Sequence, residues 1–344
     1  MIELGNIYFI IFTTLLLSFF ISYLFNKKSI FIDKVSHSEH KKLTKNSLKS
    51  PSLCGGIIIF ISSVLFFKDL SYVIYFSLLI LIIGILSDTN KLASPTIRIW
   101  FQFVVSCSFI ILKDIGIKDL RIEELNYLLN FNFISILFTV FCVLILINGS
   151  NFLDGLNTLV IGYYSLVCFF LILLSNNFNL TINQNINLLL TFLLVVYFFN
   201  FFEKLYLGDS GSYLIGFYIS FFVIDFVLIN NLVSPYIICF FLWYPAFENL
   251  FSISRRIISK NKVDIADQLH LHQMIYNYFI NKKIIKTIYI NTLVANLINV
   301  YNFIVFMFFY KFYSNTKIII IGIAINIIIY LSIYFFIKKK IKQS

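Results

Sequence analysis

Three aspartates, Asp88, Asp154 and Asp209, each end an apolar run or stand between two, in a chain that is 60% hydrophobic and only 12% charged. An ionised carboxylate at the edge of an apolar segment is costly unless it is solvated, paired or bound to a cation, and three brought to one face repel one another. A divalent cation resolves that conflict. Mg2+ suits so sparse a set because it takes one or two carboxylates and leaves its other positions to water and phosphate oxygens. One such aspartate alone reads as a helix cap; three beside Gly and Asn read as a cation site. Gly208-Asp209-Ser210-Gly211-Ser212 opens a helix whose backbone N–H groups and dipole would accept phosphate. Gly155, directly after Asp154, allows close backbone approach in the same way. Tyr206 could stack on a flat ring, and an interfacial aromatic role fits it as well.

A second island of polarity lies at 252–286, with Arg255, Arg256, Lys260, Lys262, Asp264, Asp267, His270 and His272. Two histidines two residues apart do not share one face of a regular helix, which disfavours a zinc pair of the HExxH kind. Their company of arginines and lysines points instead to phosphate binding and proton handling. Orientation in a membrane would by itself account for the basic residues, but not for the histidines, of which the chain has four.

These residues must be positioned by apolar segments, which lie near 7–25, 53–67, 71–86, 98–112, 133–147, 158–174, 186–202, 213–229, 235–251, 287–310 and 318–337. The composition is that of an all-α polytopic membrane protein forming a single membrane domain over 1–344, with about eleven transmembrane helices. The opening run lacks a basic leader and an A-x-A-like cleavage site and reads as a retained first span. The five cysteines fall singly, as small apolar packing residues. The net charge of +11 is better explained by membrane orientation than by a nucleic-acid partner.

Placing the N-terminus outside puts 21 of the 27 Lys and Arg on the inner side, leaving Lys68, Lys113, Lys118, Arg121, Lys311 and Lys317 outside. The layout is therefore N-out, C-in. It brings the polar connections near 26–52, 87–98, 148–157, 203–212 and 252–286 to one cytoplasmic face.

The set Gly55-Gly56, GxxSD at 84–88 with Arg98 and Gln102, NxxNxxDG at 148–155, LGDSGS at 207–212, and RR followed by DQLHLHQ at 267–273 resembles the polyprenyl-phosphate N-acetylhexosamine-1-phosphate transferases. These are relatives of phospho-N-acetylmuramoyl-pentapeptide transferase that start O-antigen, teichoic acid and capsule lipid intermediates in the bacterial inner membrane. The resemblance runs from about Lys49 to Tyr276, with the motifs in the family's order. It implies Mg2+-dependent transfer, with Mn2+ as an alternative ion, of a sugar 1-phosphate from a UDP-N-acetylhexosamine to a membrane polyprenyl phosphate, releasing UMP. Asp209 would be the metal ligand and Asp88 would lie beside the lipid phosphate. Asn151, Asp154 and Gly155 would hold the nucleotide, with Tyr206 on uracil. His270, His272, Arg255 and Arg256 would face the diphosphate or sugar. A homodimer is left open.

Some positions depart from that pattern. Ser87 stands where the family has the first of two aspartates. The family's DGxDGL is Asp154-Gly155-Leu156-Asn157-Thr158-Leu159, and Ala266 replaces a proline. Two other readings remain beside the enzyme: a lipid or ion transporter, for which intramembrane carboxylates are also expected, and a catalytically degenerate member acting as a scaffold.

Overall fold

Close-packed glycines and buried hydroxyls place one helix at the centre of the molecule. The computed structural model describes residues 4–32, 51–258, 269–282 and 287–343. Its helices are α1 (Leu4–Lys28), α2 (Gly55–Phe66), α3 (Ser71–Asp88), α4 (Pro95–Lys113), α5 (Glu123–Leu129), α6 (Asn132–Leu153), α7 (Leu159–Phe178), α8 (Asn185–Phe201), α9 (Gly208–Ile229), α10 (Pro235–Phe241), α11 (Trp243–Ile258), α12 (Leu271–Asn281), α13 (Thr287–Phe309) and α14 (Thr316–Gln343). The central one is α9, which is buried nearly all round and packs against α2, α3 and α6. Without a hydrophobic force between helices in lipid, such contacts depend on close backbone approach and interhelical hydrogen bonds. A Cβ on Gly84 of α3 would lie 2.3 Å from Ser210 Cα, and one on Gly56 of α2 would lie 2.5 Å from the Gly211 nitrogen. Deeper in, the Tyr218 hydroxyl of α9 bonds Ser63 of α2 at 2.5 Å and Ser77 of α3 at 3.0 Å.

Among the described residues, eight helices are long and apolar enough to cross a membrane: α1, α3, α4, α6, α7, α9, α13 and α14. Large apolar side chains such as Phe9, Phe19, Phe133 and Phe308 stand exposed on their outer faces, as lipid-facing residues do. The chain is an all-helical, multi-pass membrane protein. Helices α2 and α8 are apolar but shorter. The apolar segment 235–251, expected as one span, is instead two helices, α10 and α11, bent by 73°. The break is at Leu242, with φ −108° and ψ 9°, and Pro245, which has no N–H to give, lies in the first turn that follows.

The polar stretch 252–286 is also more helical than its composition suggests, since α11 runs on to Ile258 and α12 occupies 271–281. Positions 33–50 of the first inner loop lie outside the described residues, as do 259–268 and 283–286 of the last, and with them Lys260, Lys262, Asp264 and Asp267. The end of α3, the start of α4, the end of α6 and the start of α9 lie together at one end of the bundle, and this end carries the polar cluster.

Candidate active site

Gly208 enters α9 with φ +73°, a left-handed conformation that glycine adopts without penalty. That turn exposes the first amides of α9 to Asp88, the last residue of α3. Asp88 Oδ1 accepts the Asp209 N–H at 2.8 Å and Oδ2 accepts the Ser210 N–H at 3.0 Å. A side chain at 208 would displace this pairing, because its Cβ would lie 2.8 Å from Asp88 Oδ2. The helix start expected to receive phosphate therefore already receives a carboxylate from a neighbouring helix, for the same electrostatic reason.

Asp209, 3% exposed, points into a set of donors from three other helices. Its Oδ2 accepts from Ser87 Oγ and from Arg98 Nη1 at 3.0 Å, and its Oδ1 accepts from Asn151 Nδ2 at 2.7 Å. Arg98 also donates to Ser87 Oγ and to the Tyr213 hydroxyl at 3.3 Å. Ser87 thus relays between a guanidinium and a carboxylate at the position where the resembled pattern has an aspartate. Pairing with Arg98 and capping by two amides offset the charge of the two carboxylates.

The histidines form the other half. His270 is extended, with φ −72° and ψ 142°, just ahead of α12, while His272 lies in that helix's first turn. Because His270 is not helical, the two-residue spacing does not separate the rings. They lie nearly parallel, 5.7 Å between centroids and 19° between planes. His270 Nδ1 is 3.0 Å from Glu248 Oε1, and Glu248 Oε2 accepts from the Tyr330 hydroxyl of α14 at 2.7 Å. His272 is fully buried, neither ring nitrogen has a hydrogen-bond partner among the described residues, and burial pushes its imidazole down to about 3 from the usual 6.5. It is a neutral ring at neutral pH. Gly155 lies against it: a Cβ there would meet His272 Nε2 at 2.7 Å. The end of α6 joins the halves, since Asn151 holds Asp209 while Phe152 packs on the His270 ring at 5.3 Å and lies under the Arg256 guanidinium at 5.8 Å.

The expected site residues thus fall into several places. Asp88, Asn151 and Asp209 converge directly. Gly155, His270, His272 and Arg256 gather around the end of α6. Asp154 caps α6, partly exposed. Tyr206 is buried, with its backbone clamped between Ser52 and Gly55 by bonds of 2.9 and 3.0 Å. Arg255 reaches α14, donating to the Tyr334 hydroxyl at 3.1 Å and to the carbonyl of Leu269, next to His270, at 2.7 Å.

Two further carboxylates belong here. Glu248 escaped notice because it sits within an apolar segment, and its isolation there was the available signal, since an ionisable residue inside a span marks function or a partner. Glu203 accepts from Asn157 Nδ2 at 3.2 Å, and burial raises its carboxyl above the usual range. No sequence signal marked Glu203.

The profile of glycosyl transferase family 4 matches residues 70–227, the stretch that supplies Ser87, Asp88, Arg98, Asn151 and Asp209. That match covers just under half of the chain, and over it the chain is similar to this family. It is 28% identical over 208 residues to a probable undecaprenyl-phosphate N-acetylglucosaminyl 1-phosphate transferase of Bacillus subtilis, covering 56% of this chain and 54% of that one. It is 28% identical over 234 residues to the phospho-N-acetylmuramoyl-pentapeptide-transferase of Dictyoglomus thermophilum, covering 64% and 73%. It is 23% identical over 304 residues to an undecaprenyl-phosphate alpha-N-acetylglucosaminyl 1-phosphate transferase of Thermotoga maritima, covering 86% and 91%. The chain spans about half the length of the Bacillus relative it matches. Within the family 4 match lie both carboxylates of the central cluster; Glu248 and the histidine pair lie beyond it.

Proposed function

We propose that this chain is a member of glycosyl transferase family 4 and transfers an N-acetylhexosamine 1-phosphate from a UDP-sugar to a polyprenyl phosphate at the cytoplasmic face of a bacterial inner membrane, releasing UMP and starting a lipid-linked surface glycan. The observation that carries the reading is the meeting of Ser87, Asp88, Arg98, Asn151 and Asp209 from four helices at one end of the bundle. The names of the relatives support the reaction class. The reading takes an N-out, C-in chain of eleven spans: the eight long helices, the bent pair α10–α11, and the short helices α2 and α8.

In the proposed reaction an oxygen of the lipid phosphate attacks the phosphorus attached to the sugar, and the bond from that phosphorus to the bridging oxygen breaks, so UMP leaves with it. The nucleophile is already an oxyanion, and the work of the protein is positioning and charge neutralisation. Asp88, whose carboxylate accepts from two amides, fixes the entry to α9 and thereby the orientation of Asp209. Arg98 sets a positive charge beside the reacting phosphates. His270, oriented by Glu248, and Arg256 supply donors on the other wall.

The cluster fits a hard, oxygen-preferring ion bound by few protein ligands, although among the described residues no group of three or more His, Cys, Asp or Glu forms. Asp209 would hold Mg2+, or Mn2+, which would offset charge on the diphosphate.

Radiolabelled UDP-GlcNAc incubated with polyprenyl phosphate and Mg2+ tests the reading. Release of UMP with a labelled lipid product is expected. Neither product, across a panel of UDP-sugars, would leave the transporter or scaffold reading standing in its place.

A further inference from the structure

At the opposite end of the bundle from the cluster, α2 turns into α3 through 67–70 beside the start of α1 and the start of α8, and these elements line a half-open cavity of about 830 Å³. That is within the range of roughly 300–1,000 Å³ typical of small-molecule sites. The turn that forms its rim is rigidly held. The Lys68 N–H donates to Asn185 Oδ1 at 2.9 Å, and Asn185 Nδ2 donates back to the Lys68 carbonyl at 3.0 Å. Asn185 is fixed in turn by Asn183 Oδ1, at 3.1 Å from its N–H and 2.9 Å from its Nδ2. Asp69 takes φ +55° on this turn, a left-handed conformation that Asp and Asn tolerate better than other side chains.

The lining divides in two. Phe9, Leu65 and Leu188 contribute apolar wall, and Phe9 and Leu65 are also exposed on the outer surface of the bundle, where lipid chains lie. Lys68, Asp69 and Gln184 contribute a polar rim. Among the described residues, neither the Lys68 ammonium nor the Asp69 carboxylate has a hydrogen bond or ion pair, and both residues are exposed. An anionic head group would be drawn by Lys68 and opposed by Asp69. A zwitterion with a phosphate and a primary ammonium satisfies both, and the ammonium can also donate to the Gln184 amide oxygen.

We propose that this cavity is a binding site for one phosphoethanolamine lipid, with its phosphate on Lys68, its ammonium on Asp69 and its acyl chains along Phe9 and Leu65. The site is separate from the cluster around Asp209 and does not depend on the reaction assigned to it. The test is native mass spectrometry of the full chain, released from detergent with matched amounts of phosphatidylethanolamine and phosphatidylglycerol of identical chains. Wild type should retain one phosphatidylethanolamine with about fivefold preference, the size of one partly solvated ion pair. Asp69→Asn keeps a residue suited to φ +55° and should bring the preference to about one. Lys68→Gln should weaken retention of both lipids. Equal retention by wild type, which marks ordinary lipid contact only, overturns the proposal, as does an unchanged preference in Asp69→Asn.

Discussion

Replacing Glu248 should cost stability out of proportion to its distance from any charged partner, because three polar groups rely on it. Its Oε1 serves His270 Nδ1 at 3.0 Å and the Leu271 N–H at 3.4 Å, and its Oε2 serves the Tyr330 hydroxyl at 2.7 Å, all in a place with no solvent access to the carboxylate. Each buried group left without a partner costs about 1–3 kcal/mol. Glu248→Ala orphans the Tyr330 hydroxyl and leaves His270 Nδ1 only the Ser252 hydroxyl at 3.3 Å, so the loss should be about 3–5 kcal/mol, in the range for breaking one side of a buried pair. Glu248→Gln keeps one carbonyl oxygen as acceptor and should lose about half as much. Tyr330→Phe removes a single bond and should cost about 1 kcal/mol. The assay is equilibrium unfolding in detergent, read beside nitrogen-15 spectra of histidine-labelled protein, in which only four side chains contribute. His270 should show a proton fixed on Nδ1 in wild type and a mixture of tautomers in Glu248→Ala. A loss below about 0.5 kcal/mol with an unchanged histidine spectrum would refute the reasoning.

Other outcomes follow from the same geometry. Asp88→Asn retains one oxygen acceptor for two helix amides and should destabilise by about 1–2 kcal/mol while also lowering turnover, measured by unfolding and by UMP release. His272 is held neutral when folded, whereas an exposed histidine takes up its proton as pH falls through about 6.5. The unfolded state therefore binds more protons between about 6.5 and about 3, and stability, fully present above that window, should fall as pH falls through it. His272→Asn should flatten the slope of unfolding free energy against pH by up to one proton. Thr158→Gly should be close to neutral in unfolding measurements, because relief of a left-handed threonine, about 1–2 kcal/mol, offsets the lost side chain. Thr139→Gly, in the middle of α6, should by contrast cost more than about 2 kcal/mol.

Hydropathy was sufficient to place the eight long apolar helices among the described residues, because in lipid every span must satisfy its own backbone and so must be a long apolar run. It could not reveal the bend at Leu242, since both arms of the bend are apolar. The convergence of Asp88 and Asp209 was legible because each sits at a polar break ending or opening an apolar segment. Their separate tasks were not, because nothing in the spelling of Gly208-Asp209-Ser210 tells that Asp88 already occupies its amides. The histidine pair was visible as a pair, but not as a stack, since a two-residue spacing brings rings together only when one residue lies outside the helix. Thr158 is instructive in the same way. It stands where the family pattern has glycine, and with φ +69° it still adopts the backbone that glycine would favour. Arg255 and Arg256 are neighbours in sequence and indistinguishable there, yet helical geometry sends one to Tyr334 and the other to Phe152.

The central claim is that Asp209 organises a phosphoryl-transfer centre. Its most direct test is single-turnover transfer from labelled UDP-N-acetylhexosamine to polyprenyl phosphate by wild type and Asp209→Asn, with unfolding of both measured in the same detergent. The account predicts a lipid-linked sugar phosphate and one UMP per product from wild type, and turnover abolished in an Asp209→Asn protein that still folds. Near-wild-type transfer by Asp209→Asn would contradict it.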